Sequence, residues 1–487
     1  MKLRQWQSNC VNTALAKYVK GQNHFLALAT PGAGKTFMAS ELASRLLKNN
    51  LIDIIVCFSP SSIVSQDFTE SLQLKINERF DGLIGAKGRS LTYQALSHLD
   101  ANFWQLFQKY QVFVIFDEIH HCAGSNIDNA NAWGEQIILN IQNEAKFTLA
   151  LTGTPWRSDT APIVLSNYVG QNNRIACDYV YGLAEAIKDA VCRIPQIVAV
   201  DNDNISVIGN DDTQIFNSFK TLLAESAVSY KEIIENEEVM KYMISSARKK
   251  LSNIRKVNPN AAGLIVASSV EHAKRISILM KDQFHEQSDV VTYRENEPTN
   301  IIQQFRQAKT KWIISVGMIS EGTNIPRLQV CCHLTNIKTE MHFRQILGRI
   351  LRVTNAHNQE AIMYMPAEPK LLEYAYRVNQ DIPFESDVVK FEKIKTTSEV
   401  GVKKVPTDNL SFNKKATKDP SHDAKLTQRQ LKIDLDDFAK VAEVLNLDTY
   451  NKKVDCHFLP SSYEKEVNIF GRFHQEALAL GLSELVN

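Results

Sequence analysis

The chain has 487 residues, which is too long for a single hydrophobic core, so we expect two to four domains. Its 44% hydrophobic and 22% charged side chains are ordinary for a soluble globular protein. The 55 basic and 54 acidic side chains give a formal charge of +1, so any binding to a polyanion requires a local basic surface rather than a global field.

Two further features narrow the class. The start of the chain has no signal-peptide pattern, and no apolar run approaches the roughly 18 residues needed to span a bilayer. The 8 cysteines are scattered without a C-x-x-C pair, which argues against a disulfide framework and a zinc ribbon. We therefore expect a cytoplasmic protein with no membrane partner.

Near the amino terminus, FLALATPGAGKT followed by FMASELASRLL predicts a strand, a glycine-rich turn and a helix, which is the context of a phosphate-binding loop. Gly32 and Gly34 would let backbone N–H groups close on phosphate oxygens. Lys35 would reach the β- and γ-phosphates, and the hydroxyl of Thr36 would bind Mg²⁺. Ala29 stands where the strict pattern has its first glycine.

The stretch QVFVIFDEIHHC predicts a central parallel strand that ends in two carboxylates. Ligands of open α/β sheets bind at the carboxyl ends of strands, so this turn should face the same crevice as the phosphate loop. We expect Asp117 to hold Mg²⁺, and Glu118 to orient and deprotonate an attacking water. The adjacent His120, His121 and Cys122 lack the spacing of a tetrahedral metal site.

Farther along, FTLALTGTPWR predicts another strand followed by a polar turn. The second half of the chain then repeats the strand and helix alternation without a phosphate loop. Its strands are predicted at 263–268, 312–316 and 361–365, and GMISEGTNIP follows the second of them.

The stretch HFRQILGRILR reads as a helix with two different faces. Gln345, Arg349 and Arg352 share one face, and Ile346, Leu347 and Ile350 share the other. The apolar face indicates a packed helix. A solvated polar face is the simplest explanation for the other residues, with Gly348 clearing space beside them.

In this order the motifs resemble those of superfamily 2 helicases and translocases, in the DEAD-like group that includes type III restriction-subunit helicases. The resemblance covers roughly residues 3 to 370. It implies an α/β fold with two tandem RecA-like domains, ATP and Mg²⁺ as cofactors, and hydrolysis coupled to movement on nucleic acid.

The resemblance also assigns roles within the nucleotide site. Gln7 in LRQWQ would read adenine, with Trp6 packing nearby. Gly322 and Asn324 in EGTNIP would meet the nucleotide and the nucleic-acid backbone, although the family often has aspartate in place of Asn324.

In the family's last motif, the second domain presents arginines to the γ-phosphate, where a planar guanidinium stabilises the charge that develops during transfer. Arg352 is favoured as the residue most exposed to that phosphate, Arg349 as its partner, and Gln345 belongs to the same motif.

Other segments would grip nucleic acid. Ser61 and Ser62 in FSPSSIVSQDF can donate to phosphate, and Thr92 and Gln94 lie in LTYQAL. Each segment is also explained as a helix start. By the resemblance, Thr152 and Thr154 of the TGTP turn would couple hydrolysis to nucleic-acid binding. Backbone contacts carry no sequence information; DNA is favoured over RNA.

We divide the chain into a first RecA-like domain (1–200), a linker and helical segment (201–256), a second RecA-like domain (257–370), and a basic linker with a small, mostly helical C-terminal module (371–487). The helical expectation for that module rests on apolar residues spaced between 438 and 445 and again between 469 and 477.

Three functions fit these observations. The first is an ATP-dependent DNA helicase or annealing motor. The second is a duplex translocase that moves without separating strands, as a subunit of a restriction, repair or phage-defence assembly. The third is an ATP-gated nucleic-acid sensor whose output is a protein partner bound to the C-terminal module.

Overall fold

The computed structural model describes residues 2–154, 161–169, 174–208, 213–295, 297–319, 323–357, 359–380 and 466–478. Two α/β domains follow one another, as predicted. Within the described residues, none of the helices combines the length and the apolarity needed to cross a membrane.

The first domain is built on a fully parallel six-stranded sheet in the order β3-β2-β4-β5-β1-β8. Its strands, with the small pair β6 and β7, are β1 His24–Ala29, β2 Ile54–Ser59, β3 Gly88–Thr92, β4 Val112–Phe116, β5 Phe147–Thr152, β6 Asn167–Val169, β7 Arg174–Ala176 and β8 Tyr179–Tyr181. Its helices are α1 Gln5–Val19, α2 Lys35–Lys48, α3 Ser62–Ile76, α4 Ala101–Lys109, α5 Ala132–Asn140 and α6 Leu183–Lys188, with short 3₁₀ turns at Tyr93–His98, Ile119–His121 and Ile127–Asn129. Helices on both faces leave the central strand β4 completely buried.

The second domain holds a seven-stranded sheet in the order β13-β14-β12-β15-β16-β9-β18, parallel except for β18, and a three-stranded sheet in the order β11-β10-β17. Its strands are β9 Pro195–Asn202, β10 Ile205–Ile208, β11 Thr213–Phe216, β12 Ala262–Ala267, β13 Ser288–Val291, β14 Trp312–Ser315, β15 Leu328–Leu334, β16 Ala361–Pro366, β17 Glu466–Ile469 and β18 Phe473–Ala477. Its helices are α7 Phe219–Glu225, α8 Tyr230–Glu235, α9 Glu237–Arg255, α10 Val270–Phe284, α11 Pro298–Gln307, α12 Glu340–Ile350 and α13 Pro369–Gln380.

The three strands predicted in the second half are present, and α9 packs its apolar face on β12 and β15, as expected of a structural helix. Strand β15, which was not predicted, is buried along its whole length. Its sequence, LQVCCHL, mixes polar and apolar residues and so gives no clear period.

The boundary at residue 200 differs from the structure. Strand β9 pairs with β16 of the second sheet, so the second domain begins near residue 194. Residues 201–208 contain the end of β9 and the whole of strand β10, so they are not a linker. At the tight corner between these strands, Asn202 and Asp203 accept hydrogen bonds from backbone N–H groups. Polar residues at that corner mimic the composition of a linker.

The predicted helical spacing between residues 469 and 477 is wrong. Residues 466–469 pair with β10 and residues 473–477 pair with β9, both antiparallel. A spacing of four residues fits a helix and also fits two repeats of a strand, so the pattern did not distinguish them. The rest of the predicted C-terminal module, including the spacing between 438 and 445, lies outside the described residues.

Candidate functional site

The loop between β1 and α2 has the backbone of a phosphate-binding turn. Gly32 and Gly34 adopt φ angles of 85° and 95°, which L side chains rarely tolerate. A methyl group at Gly34 would lie 2.9 Å from Nε2 of Gln7. The loop leads directly into α2, whose amino-terminal end favours an anion.

Lys35 and Glu118 form the central ion pair of the site. Nζ of Lys35 donates to Oε1 of Glu118 at 2.9 Å, and the backbone N–H of Gly153 donates to Oε2 at 3.0 Å. Glu118 has a φ of 49°, a strained conformation of the kind that accumulates at functional sites. Burial acts to raise its pKa, but Lys35, His120 and the Gly153 N–H outweigh burial and lower it. Glu118 is therefore ionised at neutral pH.

His120 links the acidic turn to the turn after β5. The ring is buried, with Nδ1 3.0 Å from Oγ1 of Thr152 and 3.5 Å from Oγ1 of Thr154. The same ring nitrogen lies 3.5 Å from Oε2 of Glu118. A displacement of the turn after β5 would therefore shift His120 and change its contact with the carboxylate of Glu118.

The second domain brings arginines to the opposite wall. Nη1 of Arg349 donates to the carbonyl of Thr323 at 2.8 Å, and Nη1 of Arg352 donates to Oδ1 of Asn324. Burial, and then the cations Arg349 and Arg306, lower the pKa of Arg352 to about 9, so the group is still charged at neutral pH. Its Nε is buried and has no hydrogen-bond partner among the described residues. An anion would satisfy these crowded cations.

One detail of the arginine helix differs from the prediction. Helix α12 ends at Ile350, so Gln345 and Arg349 share a helical face but Arg352 lies beyond the helix. The carbonyl of Leu351 accepts a hydrogen bond from the Arg193 N–H at 2.7 Å, and Arg352 forms a bridge with Cys192. These bonds to a passing segment take the place of another helical turn.

The arginine helix lies directly against the phosphate-binding loop. A methyl group at Gly348 would lie 2.6 Å from Cβ of Pro31, and one at Gly32 would lie 3.1 Å from Cγ of Arg352. This close approach explains why a packed helix carries a glycine beside its arginines.

A cavity of about 290 Å³ lies between the two domains. Its walls include eleven of the predicted site residues: Gly32, Gly34, Lys35, Thr36, Asp117, Glu118, Thr154, Asn324, Gln345, Arg349 and Arg352. The glycine turn, the two carboxylates and the facing cations are the groups that a nucleoside triphosphate with a divalent cation requires. Thr36 and Asp117 are the residues that would hold Mg²⁺.

One predicted nucleotide contact, Gln7, does not line the cavity. Gln7 is buried beside the loop, where its side chain accepts from the N–H of Arg4 at 2.9 Å and donates to the carbonyl of Gly34 at 3.0 Å. Trp6 stacks on Tyr181 with ring centroids 4.6 Å apart. Gly322 lies outside the described residues.

The predicted nucleic-acid contacts are spread over the carboxyl ends of several strands. Ser61 caps α3 by accepting from the N–H of Val64, and Ser62 is exposed on the first turn. Thr92 ends β3 and Gln94 lies in the 3₁₀ turn that follows. The buried Thr152 bonds within the domain, which fits a coupling residue better than a direct contact.

The residues that were not predicted include charged side chains at or near the cavity wall. Arg4 lines it and donates to the carbonyl of Ala33 at 2.8 Å, and Asp67 lines it from α3. Arg193 is buried behind the arginine helix. Arg4 belongs to the LRQWQ element and was within reach of sequence analysis, whereas the other two follow no local pattern.

Comparisons with known families agree with this geometry. Residues 1–157 match the family described as type III restriction enzyme, res subunit, and residues 246–354 match the helicase conserved C-terminal domain. The first match contains the phosphate loop and the acidic turn, and the second contains the arginine helix.

Several proteins are similar over most of the chain. An uncharacterized protein of Mycobacterium tuberculosis is 30% identical over 388 residues, covering 77% of this chain but only 62% of the relative, and one of Mycobacterium leprae is 29% identical over 387 residues, covering 77% and 63%. The chain thus spans less than two thirds of these relatives. The DNA 3'-5' translocase XPB2 of Sulfurisphaera tokodaii is 24% identical, covering 72% of this chain and 79% of the relative.

The fold is also found among solved structures. A fragment described as an HsdR subunit of a type I restriction enzyme from Vibrio vulnificus aligns with a TM-score of 0.53 at 14% identity, covering 76% of this chain and 65% of that one. At this identity the similarity concerns the fold alone. The two family matches, in the expected order on tandem RecA-like domains, support an assignment to the superfamily 2 helicases, in the group that resembles type III restriction subunits.

Proposed function

We propose that the protein hydrolyses ATP with Mg²⁺ and uses the cycle to move along DNA or to separate its strands. One observation carries this proposal: Lys35 and Glu118 of the first domain and Arg349 and Arg352 of the second line a single cavity. A site assembled from two domains changes when they separate, so hydrolysis and domain movement are linked.

Each residue has a task that its position supports. The glycine turn and Lys35 bind the phosphates, and bound Mg²⁺ would neutralise phosphate charge. Glu118, ionised and held by the Gly153 N–H, accepts a proton from the attacking water. Arg352 and Arg349 stabilise the negative charge that develops on the phosphoryl oxygens.

DNA is the favoured track because one relative is named a DNA translocase and another, 20% identical, is a type I restriction enzyme EcoAI subunit of Escherichia coli. The same names support a second candidate, a duplex translocase or nucleic-acid sensor that acts within a larger assembly. In that role the chain would hydrolyse ATP on DNA without releasing single strands.

Steady-state ATP hydrolysis tests the proposal, measured without nucleic acid and then with single-stranded DNA, duplex DNA, a fork and RNA at one salt concentration. Lys35→Ala serves as the inactive control. Stimulation by DNA supports a DNA motor, and strand release from the fork separates the helicase from the duplex translocase. Hydrolysis by Lys35→Ala at the wild-type rate would remove the site assignment.

A further inference from the structure

Arg193 is a buried cation that the proposed chemistry does not use. It lies between α6 and β9, where the chain crosses from the first domain to the second, and is only 1% exposed. Burial lowers its pKa to about 10. All the acceptors of its hydrogen bonds are neutral, so no anion offsets the cost of burying the charge. The role of Arg193 should therefore be found in the segments that these acceptors belong to.

The acceptors of Arg193 come from two segments near Arg349 and Arg352: residues 326–328 and the carboxyl-terminal end of α12. Nη1 donates to the carbonyls of Leu328 at 2.6 Å and Ile350 at 3.1 Å, and Nη2 donates to that of Pro326 at 3.2 Å. Ile350 is the last residue of α12, where the helix dipole favours a cation. One guanidinium thus ties the end of the arginine helix to the segment that follows Asn324.

Neighbouring residues extend this connection to both sides. Nε of Arg193 donates to Oε1 of Gln359, which organises the turn after Arg352 by donating to the carbonyl of Thr354. On the other side, Cys192 bridges Arg352 and its Sγ lies 3.7 Å from the carbonyl of Pro31 in the phosphate-binding loop. The interdomain crossover therefore contacts both the phosphate-binding loop and Arg352.

We propose that Arg193 is a positioning residue for the reaction, which fixes Arg352 and Asn324 relative to the phosphate-binding loop. This inference rests on the proposed ATP hydrolysis. The planar fork of arginine matches three carbonyls at once, and lysine cannot reproduce that geometry although it keeps the charge.

The test compares Arg193→Lys with Arg327→Lys. Arg327 is a matched control because its guanidinium also donates to carbonyls, those of Asn260 and Thr310, and burial lowers its pKa to about 10 as well. Those carbonyls precede β12 and β14 rather than ending α12. Thermal unfolding, kcat and KM for ATP are measured for both variants and the wild type.

We expect Arg193→Lys to lower kcat on the order of 10- to 100-fold with KM within about 3-fold, because misplacing a transition-state group affects turnover more than substrate binding. Arg327→Lys should lower the unfolding temperature by a similar amount and keep the wild-type kcat. Equal kcat values in the two variants would overturn the positioning role while the proposed hydrolysis stands.

Hydrogen exchange supplies a readout that does not depend on hydrolysis. Amides of residues 340–352 should exchange faster in Arg193→Lys than in the wild type or Arg327→Lys. If the wild type hydrolyses no nucleotide, the proposed function fails, and unchanged exchange in this segment would refute the attachment of α12 by Arg193 as well.

Discussion

In the first domain the loops that follow β1, β4 and β5 reach the cavity, whereas in the second domain the cavity is lined by residues that precede β15 and β16. The parallel strands of the first sheet thus present their carboxyl ends, and those of the second sheet present their amino ends. The second domain therefore follows the first head to tail, and similar folds contribute different chemistry to the site.

The two domains differ in the turn that joins a strand to the next helix, after β1 in the first domain and after β12 in the second. After β1 the turn contains two glycines with positive φ, as the proposed phosphate binding requires. After β12 the turn is Ser268 and Ser269, whose side chains bond His272, and Ser269 accepts the N–H of that residue at 3.0 Å. The N–H groups of the second turn are therefore already hydrogen-bonded within the protein and are not available to bind an anion.

The largest effect should come from the contribution of the second domain. Arg352→Ala should lower kcat about 10³- to 10⁵-fold while ATP affinity stays nearly unchanged, because the arginine acts on charge that develops during transfer. Stopped-flow nucleotide binding alongside steady-state turnover separates the two quantities. Loss of binding with turnover of bound ATP preserved would instead make Arg352 a binding residue.

The first domain should show the complementary behaviour. Glu118→Gln should lower kcat about 10²- to 10⁴-fold, since the amide cannot accept the proton, yet ATP should still bind. The variant should also retain nucleic acid in the presence of ATP, which filter binding can measure. Normal turnover in this variant would exclude Glu118 as the base.

Acid should destabilise the second domain through two buried histidines. Burial lowers the pKa of His272 to about 4 and of His333 to about 3, so both stay neutral when folded and take up protons when unfolded. Stability is therefore complete above the ordinary pKa of 6.5 and falls as pH drops below it, by about 2 kcal/mol per histidine between pH 7 and 5. Denaturation followed by domain-resolved hydrogen exchange measures this. His333→Leu should reduce the pH slope; an unchanged slope contradicts the assignment.

Gly348→Ala should separate stability from activity. Alanine favours a helix over glycine by about 1 kcal/mol, so α12 itself should not be weakened. The added methyl would collide with Pro31 and hold the domains apart, so kcat should fall on the order of 10-fold. Thermal unfolding and turnover, measured on one preparation, test the expected stability and the expected loss of kcat. Turnover at the wild-type rate would show that Pro31 moves aside to accommodate the methyl group.

The smallest effect is expected at Gln7. Gln7→Ala removes hydrogen bonds to Arg4 and Gly34 worth about 1 kcal/mol each, so KM should rise several-fold with kcat little changed. Comparing ATP with GTP tests the adenine role separately. If Gln7 reads adenine, the preference for ATP should weaken in the variant, and an undiminished preference would restrict the residue to supporting the loop.

The parts of this molecule that depend on local patterns could be predicted from the sequence. The phosphate-binding turn, the acidic turn and the arginine helix each follow from residue type and spacing, and the cavity brings them together. Arg193 could not be predicted because its acceptors lie about 130 to 165 residues away along the chain. Strand β18 was missed for a related reason, because its partner β9 is far away in the sequence. Asn202 in β9 bonds Gly471, just before β18, across 269 residues.

Because the chain returns to β9 at residues 473–477, residues 381–465 are not a carboxyl-terminal extension of the second domain. In the sequence they follow α13 and precede β17, and both of these elements belong to the second domain, so they interrupt that domain rather than follow it. A truncation after residue 380, which looks natural from sequence, would strip β18 from β9 and leave a bare sheet edge prone to aggregation.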